Sequence, residues 1–267
     1  MKIKDFNIEQ IAESGECFRW NKIGDMKYRG IVNGKVCDVI QNGDEVEFTG
    51  FSKEEFCEYF DLGRDYSKIK ELYKDDEILR KAISFGEGIR ILNQDKFETL
   101  ISFIISANNN IPRIKKSINK ISKKFGKNIY DDYYAFPTID ELSVATEDEL
   151  KECGVGFRAK YIVNTVKNIK EGFDLEEISK LPTDKCKKEL TKLMGVGPKV
   201  ADCVMLFSMK KTDAFPVDVW IKKIMEELYI KEEVPLKYIE KYAKDKFGEF
   251  AGIAQQYLFF YARDNLR

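Results

Sequence analysis

Residues 193–207 read Leu-Met-Gly-Val-Gly-Pro-Lys-Val-Ala-Asp-Cys-Val-Met-Leu-Phe. Gly195, Gly197 and Pro198 predict a tight turn, and the apolar run that follows predicts a helix over 198–210. Glycines let a backbone bend sharply and come close to a ligand. A proline at the first helical position gives up only an N–H that would be unpaired anyway. The free N–H groups at the start of such a helix, reinforced by its macrodipole, make an anion site that suits a DNA phosphate. Lys199 is out of place there, because the first turn of a helix disfavours a cation. A plain interhelical turn also explains one Gly-Val-Gly, so the choice depends on the rest of the chain.

The turn has an echo. "LKECGVGFRAKY" at 150–161 matches "LTKLMGVGPKVA" at 190–201, an offset of 41 that aligns Gly154 with Gly195 and Arg158 with Lys199. Two copies do not make a solenoid. Upstream, "IPRIKKSINKISKKF" at 111–125 predicts an amphipathic helix, with Ile111, Ile114, Ile118 and Ile121 on one face and lysines on the other. No acidic residue occurs from Thr99 to Tyr130, a stretch that carries Arg113, Lys115, Lys116, Lys120, Lys123, Lys124 and Lys127. Alone this reads as a solvated helix face. Beside two Gly-Val-Gly turns it reads as a local field that binds phosphate, despite a net charge of −1.

The first part of the chain has a different period. "FRW", "KYRGIV", "KVCDVI" and "EVEFTGF" predict strands, separated by turns at Asn33-Gly34 and Asn42-Gly43-Asp44, in an antiparallel sheet ending near Phe51. Ser52 predicts the cap of a helix from Lys53. After about Phe85 strand signals vanish, and helices are predicted at 95–107, 111–125, 157–171, 184–193, 198–210, 219–229, 236–246 and 250–264. Another helix is expected after a capping box at Thr146 and Glu149. The fold class is therefore α+β: an N-terminal antiparallel β-sheet module, residues 1–87, packed on a mainly α-helical body, residues 88–267.

The chain has no histidine, which excludes Ser-His-Asp and Cys-His catalysis and imidazole-based zinc sites. Its six cysteines are scattered with no C-x-x-C pair, which argues against structural zinc or an iron–sulfur cluster. No run approaches the ~18 apolar residues of a membrane span, and the start lacks a signal-peptide core, so the reading is a cytosolic protein. Asp218, in "AFPVDVWIKKIM" at 214–225, is an N-cap candidate for the next helix.

"LMGVGPKVADCV", with "PVDV" placing Asp218 nineteen residues after Lys199, resembles the helix-hairpin-helix, Gly-Pro-Asp DNA glycosylases. "SGECFRW" (14–20), "ISANNNIPRI" (105–114), "GVGFRAKYI" (154–162) and "IAQQYLFFYA" (253–262) narrow the resemblance to the 8-oxoguanine DNA glycosylases over nearly the whole chain. It implies excision of 8-oxoguanine opposite cytosine from duplex DNA through a lysine Schiff base, with β-elimination at the abasic site. Lys199 would be the nucleophile at C1′. A free lysine, with a pKa of about 10.4, is almost wholly protonated at neutral pH, so a helix N-terminus and desolvation by bound DNA both favour the reactive amine. Asp218 would stabilise the developing oxocarbenium and help position or deprotonate Lys199.

The remaining assignments also come from the resemblance. The base is flipped out of the duplex, stacked on Phe259, read at its Watson–Crick edge by Gln255, and closed in by Cys203. The Gly15 carbonyl would accept from N7–H, the donor that distinguishes 8-oxoguanine from guanine. Asn108, Arg113 and Arg158 would fill the gap and bond the orphaned cytosine, and Phe157 would be the wedge. Gly195, Val196 and Gly197 form the phosphate-binding hairpin. No cofactor, structural metal or membrane is implied, although a divalent ion ordering the hairpin stays open. The expected partner is damaged double-stranded DNA, met by a monomer with no obligatory protein partner, nucleoid-associated in a prokaryote and otherwise nuclear. Two departures stand out: Trp220 occupies a position where better-known relatives carry histidine, and the chain ends soon after Phe259. A glycosylase for another damaged base and a non-catalytic DNA-binding module are the competing readings.

Overall fold

The structure, a computed structural model, describes residues 1–265. It opens with a short helix, α1 (Ile8–Glu13), followed by a four-stranded antiparallel meander of β1 (Asn21–Gly24), β2 (Lys27–Val32), β3 (Lys35–Asn42) and β4 (Glu45–Thr49). Asn33 and Gly34 take φ of +49° and +73°, the pair of left-handed residues a tight hairpin turn needs, and Val32 pairs with Lys35 across it. The inward face of the sheet, Tyr28, Val32, Cys37, Val39 and Val46, closes on Trp20, Phe56 and Phe60. Gly30 is required on that face, because a Cβ there would lie 2.5 Å from the Trp20 ring.

The expected Ser52 cap is present. Its side chain accepts from Glu55 N, and Glu55 returns the bond, opening α2 (Lys53–Tyr59). Next come α3 (Tyr66–Leu72), α4 (Glu77–Phe85), α5 (Lys96–Ser106) and α6 (Ile111–Phe125). A small hairpin, β5 (Asn128–Tyr130) with β6 (Tyr133–Tyr134), precedes α7 (Ile139–Leu142) and α8 (Glu147–Glu152). The capping box of α8 is the predicted one at Thr146 and Glu149. Then follow α9 (Ala159–Lys170), α10 (Leu175–Lys180), α11 (Thr183–Leu190), α12 (Pro198–Ser208) and α13 (Val219–Ile224). A π-helical turn (Met225–Ile230), α14 (Leu236–Phe247) and α15 (Ala251–Asn265) complete the described chain. The body is built around α5 and α12, both buried along most of their length, with Phe103 stacked on Phe207 at 5.6 Å. Among the described residues no helix is long and apolar enough to cross a membrane.

Two local expectations are corrected, and one packing arrangement is new. "FRW" is not a strand, since Phe18, Arg19 and Trp20 are all buried and do not alternate. Phe18 enters the helical core against Phe103, and Trp20 enters the sheet core. Arg19 reaches across to donate to Ser122 Oγ and the Tyr134 carbonyl, so these three residues staple the two cores together. Strand structure does not stop at Phe85, because β5 and β6 lie inside the helical body, turning at Asp131 with φ +48°. Helices α3 and α4, within the N-terminal stretch, bury Tyr66, Ile69, Leu79 and Ala82 in the core of the helical body rather than under the sheet.

The staple carries a pH dependence. Glu98, in the first turn of α5, lies 3.6 Å from the Arg19 guanidinium. Burial pushes its carboxyl from 4.5 up to about 7, against the opposing pull of Arg19. A carboxyl that binds its proton more tightly when folded contributes stability that is complete below its unfolded pKa and lost as pH rises through its folded one. Glu98→Gln is therefore expected to shrink the loss of Tm between pH 4.5 and about 7. The slope that remains belongs partly to Asp202, which burial also pushes up to about 7. Thermal scans across that window check this, and an unchanged slope in the variant rules it out.

Candidate active site

The site is assembled at the turn between α11 and α12. Gly195 has φ +83°, and a Cβ there would lie 2.5 Å from the Tyr161 ring, so the backbone lies directly on α9. Val196 is buried and anchors the turn from inside. At Gly197, by contrast, a Cβ would meet nothing within 4 Å. Pro198 takes the first position of α12 and no side chain caps the helix, which leaves its N-terminus open to an anion. The hairpin thus has the form the sequence predicts.

Lys199 sits in this first turn with Nζ 5.2 Å from the centre of the Phe103 ring. Cys203, one turn on, is buried. Burial pushes its thiol up to about 11, opposed by the Lys199 charge, so at neutral pH it is an apolar wall and not a thiolate. Asp218 N-caps α13, with Oδ1 accepting from Trp220 N at 3.1 Å and Ile221 N at 2.9 Å. Desolvation raises its carboxyl above the ordinary range, while those N–H groups and the Lys199 charge pull the other way. Lys199, Cys203 and Asp218 therefore form one electrostatic group. Trp220 is half-buried, and its side chain packs against the core of the body.

A second group forms where α15 meets the loop after α1. Gly15 has φ +87°, and a Cβ there would lie 3.1 Å from Phe259 Cε1 and 3.4 Å from Ile111 Cδ1. The loop is tied to α15 by Gln256 Nε2 donating to the Ser14 carbonyl at 3.3 Å and Arg263 Nη1 donating to the Glu13 carbonyl at 2.6 Å. Gln255, one turn before Phe259, is buried, and its Oε1 has no hydrogen-bond partner among the described residues. A buried amide oxygen without a partner is costly. That cost is relieved if a ligand donates to it. The helices carrying the two groups are in close contact, since a Cβ at Gly252 of α15 would lie 2.5 Å from Leu206 Cδ1 of α12.

A third group surrounds the α5–α6 loop. Asn108 is exposed with φ +49°, and Asn110 caps α6 by accepting from Arg113 N at 3.0 Å. Arg113 is exposed. Phe157 is 53% exposed, a large apolar ring offered to solvent. Arg158 differs from Arg113. It is buried, with Nε donating to the Ala107 carbonyl at 2.8 Å, Nη2 to the Asn108 carbonyl at 3.0 Å and Nη1 to the Val155 carbonyl at 3.1 Å. It clamps the loop that carries Asn108. Nor is it the geometric counterpart of Lys199: Arg158 ends a 3-10 turn (Gly156–Arg158) ahead of α9, whereas Lys199 lies inside α12.

Sequence reasoning missed Tyr161 beneath Gly195, and also the ion cluster behind α12. There Lys187 Nζ lies 2.7 Å from Asp202 and 3.0 Å from Glu240. No sequence signal marks either, because the partners come from separate helices.

A Gly-Val-Gly hairpin with an uncapped helix, a lysine in its first turn and an aspartate capping the following helix defines the helix-hairpin-helix, Gly-Pro-Asp class of base-excision proteins. Residues 101–248 match the HhH-GPD superfamily base excision DNA repair protein, and residues 1–100 match the 8-oxoguanine DNA glycosylase N-terminal domain. The chain belongs to the 8-oxoguanine DNA glycosylase family of that superfamily. It is 31% identical to a probable N-glycosylase/DNA lyase of Methanothermobacter thermautotrophicus, over 98% of this chain and 95% of that one. It is 33% identical to N-glycosylase/DNA lyase OGG1 of Arabidopsis thaliana, over 92% of this chain and 74% of the relative. Among solved structures, 8-oxoguanine glycosylase/lyase of Clostridium acetobutylicum, in complex with double-stranded DNA containing cytosine opposite 8-oxoG, superposes with a TM-score of 0.95. That protein is 51% identical, with 99% of this chain and 94% of that one covered.

Proposed function

We propose that this protein is a DNA glycosylase and abasic-site lyase that excises 8-oxoguanine opposite cytosine from duplex DNA, acting through a Schiff base on Lys199. The observation that carries the reading is Lys199 in the first turn of uncapped α12, with buried Cys203 one turn on and Asp218 capping α13 close enough to feel the Lys199 charge. The helix in contact with α12 holds Phe259 against Gly15 and presents the unpartnered Gln255 oxygen. Its setting is the nucleoid or nucleus, where duplex DNA is its partner.

The geometry supports a sequence of steps. The hairpin N–H groups hold a backbone phosphate, the lesion is extruded, and its ring enters between Phe259 and Cys203. Gln255 Oε1 accepts from the Watson–Crick edge, and the Gly15 carbonyl accepts from N7–H. The neutral Lys199 amine attacks C1′ as the glycosidic bond breaks, and the departing base takes up a proton. Asp218 faces the positive charge that develops on the sugar. Its raised carboxyl is also a better proton acceptor for the amine than an ordinary carboxylate. Opening of the sugar ring then gives an imine on Lys199, and β-elimination expels the 3′ phosphate.

Strand cutting of duplexes carrying 8-oxoguanine opposite each of the four bases tests the substrate. The expected order puts cytosine first. Cutting of abasic duplex alone would keep the lysine chemistry and move the excision to another base. Absence of both would leave a DNA-binding module. The two arginines should separate in the same assay. Arg113→Ala is expected to lower the cytosine-over-adenine ratio about tenfold, the value of one good base-reading fork. Arg158→Ala, which releases the Asn108 loop, should depress excision opposite every base instead. Equal effects of the two variants on the ratio would contradict the division of roles.

A further inference from the structure

We infer that the cationic edge of α6, with the cleft beside it, binds the phosphodiester backbone of the strand opposite the lesion, beyond the orphaned base. The inference rests on the glycosylase reading, because Arg113 at the orphaned base sets which strand enters the track.

Arg113, Lys116, Lys120 and Lys123 follow one another at spacings of three, four and three residues, so they share one face of α6. From the first to the last they span about 15 Å, long enough to meet successive phosphates of one strand. The track begins at the lesion pocket, where Ile111 of the same helix approaches Gly15. On one flank lies the first Gly-Val-Gly turn: a Cβ on Gly154 would be 3.3 Å from Ser117 Oγ, and Lys120 Nζ donates to the Glu152 carbonyl at 3.2 Å. On the other flank lies a cleft of about 500 Å³ between α6, the sheet and the β5–β6 hairpin. Asn21, Arg29, Lys116, Asn119, Lys123 and Tyr133 are among its lining residues, and Asp132 is the one carboxylate among the described residues that line it.

The protein uses some of this charge internally. Arg29 is held by Asp38 at 2.6 Å, and Lys123 pairs with Asp132. Lys116 and Asn119, which line the cleft, are exposed and have no hydrogen-bond or ion-pair partner among the described residues. Like charges three and four apart weaken a helix by a few tenths of a kcal/mol each, and α6 has no acid of its own to offset them. An external polyanion explains that arrangement, and the linear spacing fits a strand better than a compact anion. Nothing in base excision or lyase chemistry requires these lysines.

The test is the salt dependence of duplex binding by the intact protein. Each phosphate neutralised contributes about 0.9 to the slope of log K against log salt. The triple variant Lys116→Gln/Lys120→Gln/Lys123→Gln is expected to lower the slope by about 2 to 3. The single variant Lys116→Gln, which breaks no protein contact, should lower it by about 1. Methylphosphonates in the undamaged strand should weaken wild type and leave the triple variant indifferent, while the same change in the lesion strand should weaken both equally. A wild-type slope in the triple variant would overturn the inference, as would equal sensitivity of both proteins to neutralising the undamaged strand. Failure of the glycosylase reading would show separately, as wild type binding lesion and undamaged duplex alike, and the slopes would still be read on undamaged duplex.

Discussion

Lys199→Gln is expected to abolish strand cutting at 8-oxoguanine, a loss on the order of 10⁴-fold or more, as for removal of other covalent nucleophiles, with lesion binding kept. Glutamine preserves most of the length and polarity of the side chain, and it removes the amine and the charge at the first turn of α12. Nothing else at the site depends on Lys199 for its position: the hairpin is held by Gly195 on Tyr161 and by buried Val196, and Cys203 is fixed by burial in the core. Binding and catalysis should therefore separate. Rates of nicking and affinities for the same duplex measure the two effects, and retention of lyase activity in the variant would remove Lys199 from the mechanism.

Asp218→Asn is expected to slow base excision about 10²–10³-fold, the usual cost of losing one aimed electrostatic stabiliser, while DNA affinity and Tm stay near wild type. Asparagine caps helices as well as aspartate, so the bonds from Trp220 N and Ile221 N survive and α13 keeps its start. Only the charge is lost. In the proposed mechanism the carboxylate acts ionised, so excision is expected to fall as pH drops through its pKa. Burial holds that pKa above the ordinary 3.8, so the acid limb of the kcat/KM profile should lie above that value and disappear in the variant. An acid limb shared by both proteins would assign it to another group.

What could be read in the sequence is what local chemistry decides. The Ser52–Glu55 and Thr146–Glu149 capping boxes, the Asn33-Gly34 turn and the glycines on either side of Val196 act within a few residues, and each appears where it was expected. Phe18-Arg19-Trp20 failed as a strand because its three side chains go to three different places, and only the assembled fold determines that. The strands β5 and β6, of three and two residues, are too short to show a period. Helices α3 and α4 precede the helical body in sequence yet bury their apolar faces in it. At the site, Lys199 and Asp218 stand out in the sequence as a misplaced cation and a cap. Cys203, Gln255 and Phe259 are legible only through the resemblance, since a buried cysteine and an aromatic helix face read equally well as core. Arg158 shows the limit of repeat matching: it aligns with Lys199 in sequence, yet its donors hold carbonyls about fifty residues away.

Borohydride trapping on a duplex carrying 8-oxoguanine opposite cytosine, followed by mass mapping of the adduct, tests the central claim most directly. The prediction is a covalent protein–DNA species whose sugar remnant sits on the peptide containing Lys199, absent from Lys199→Gln. An adduct mapped to a different amine, or no adduct on either the lesion duplex or an abasic one, would contradict it.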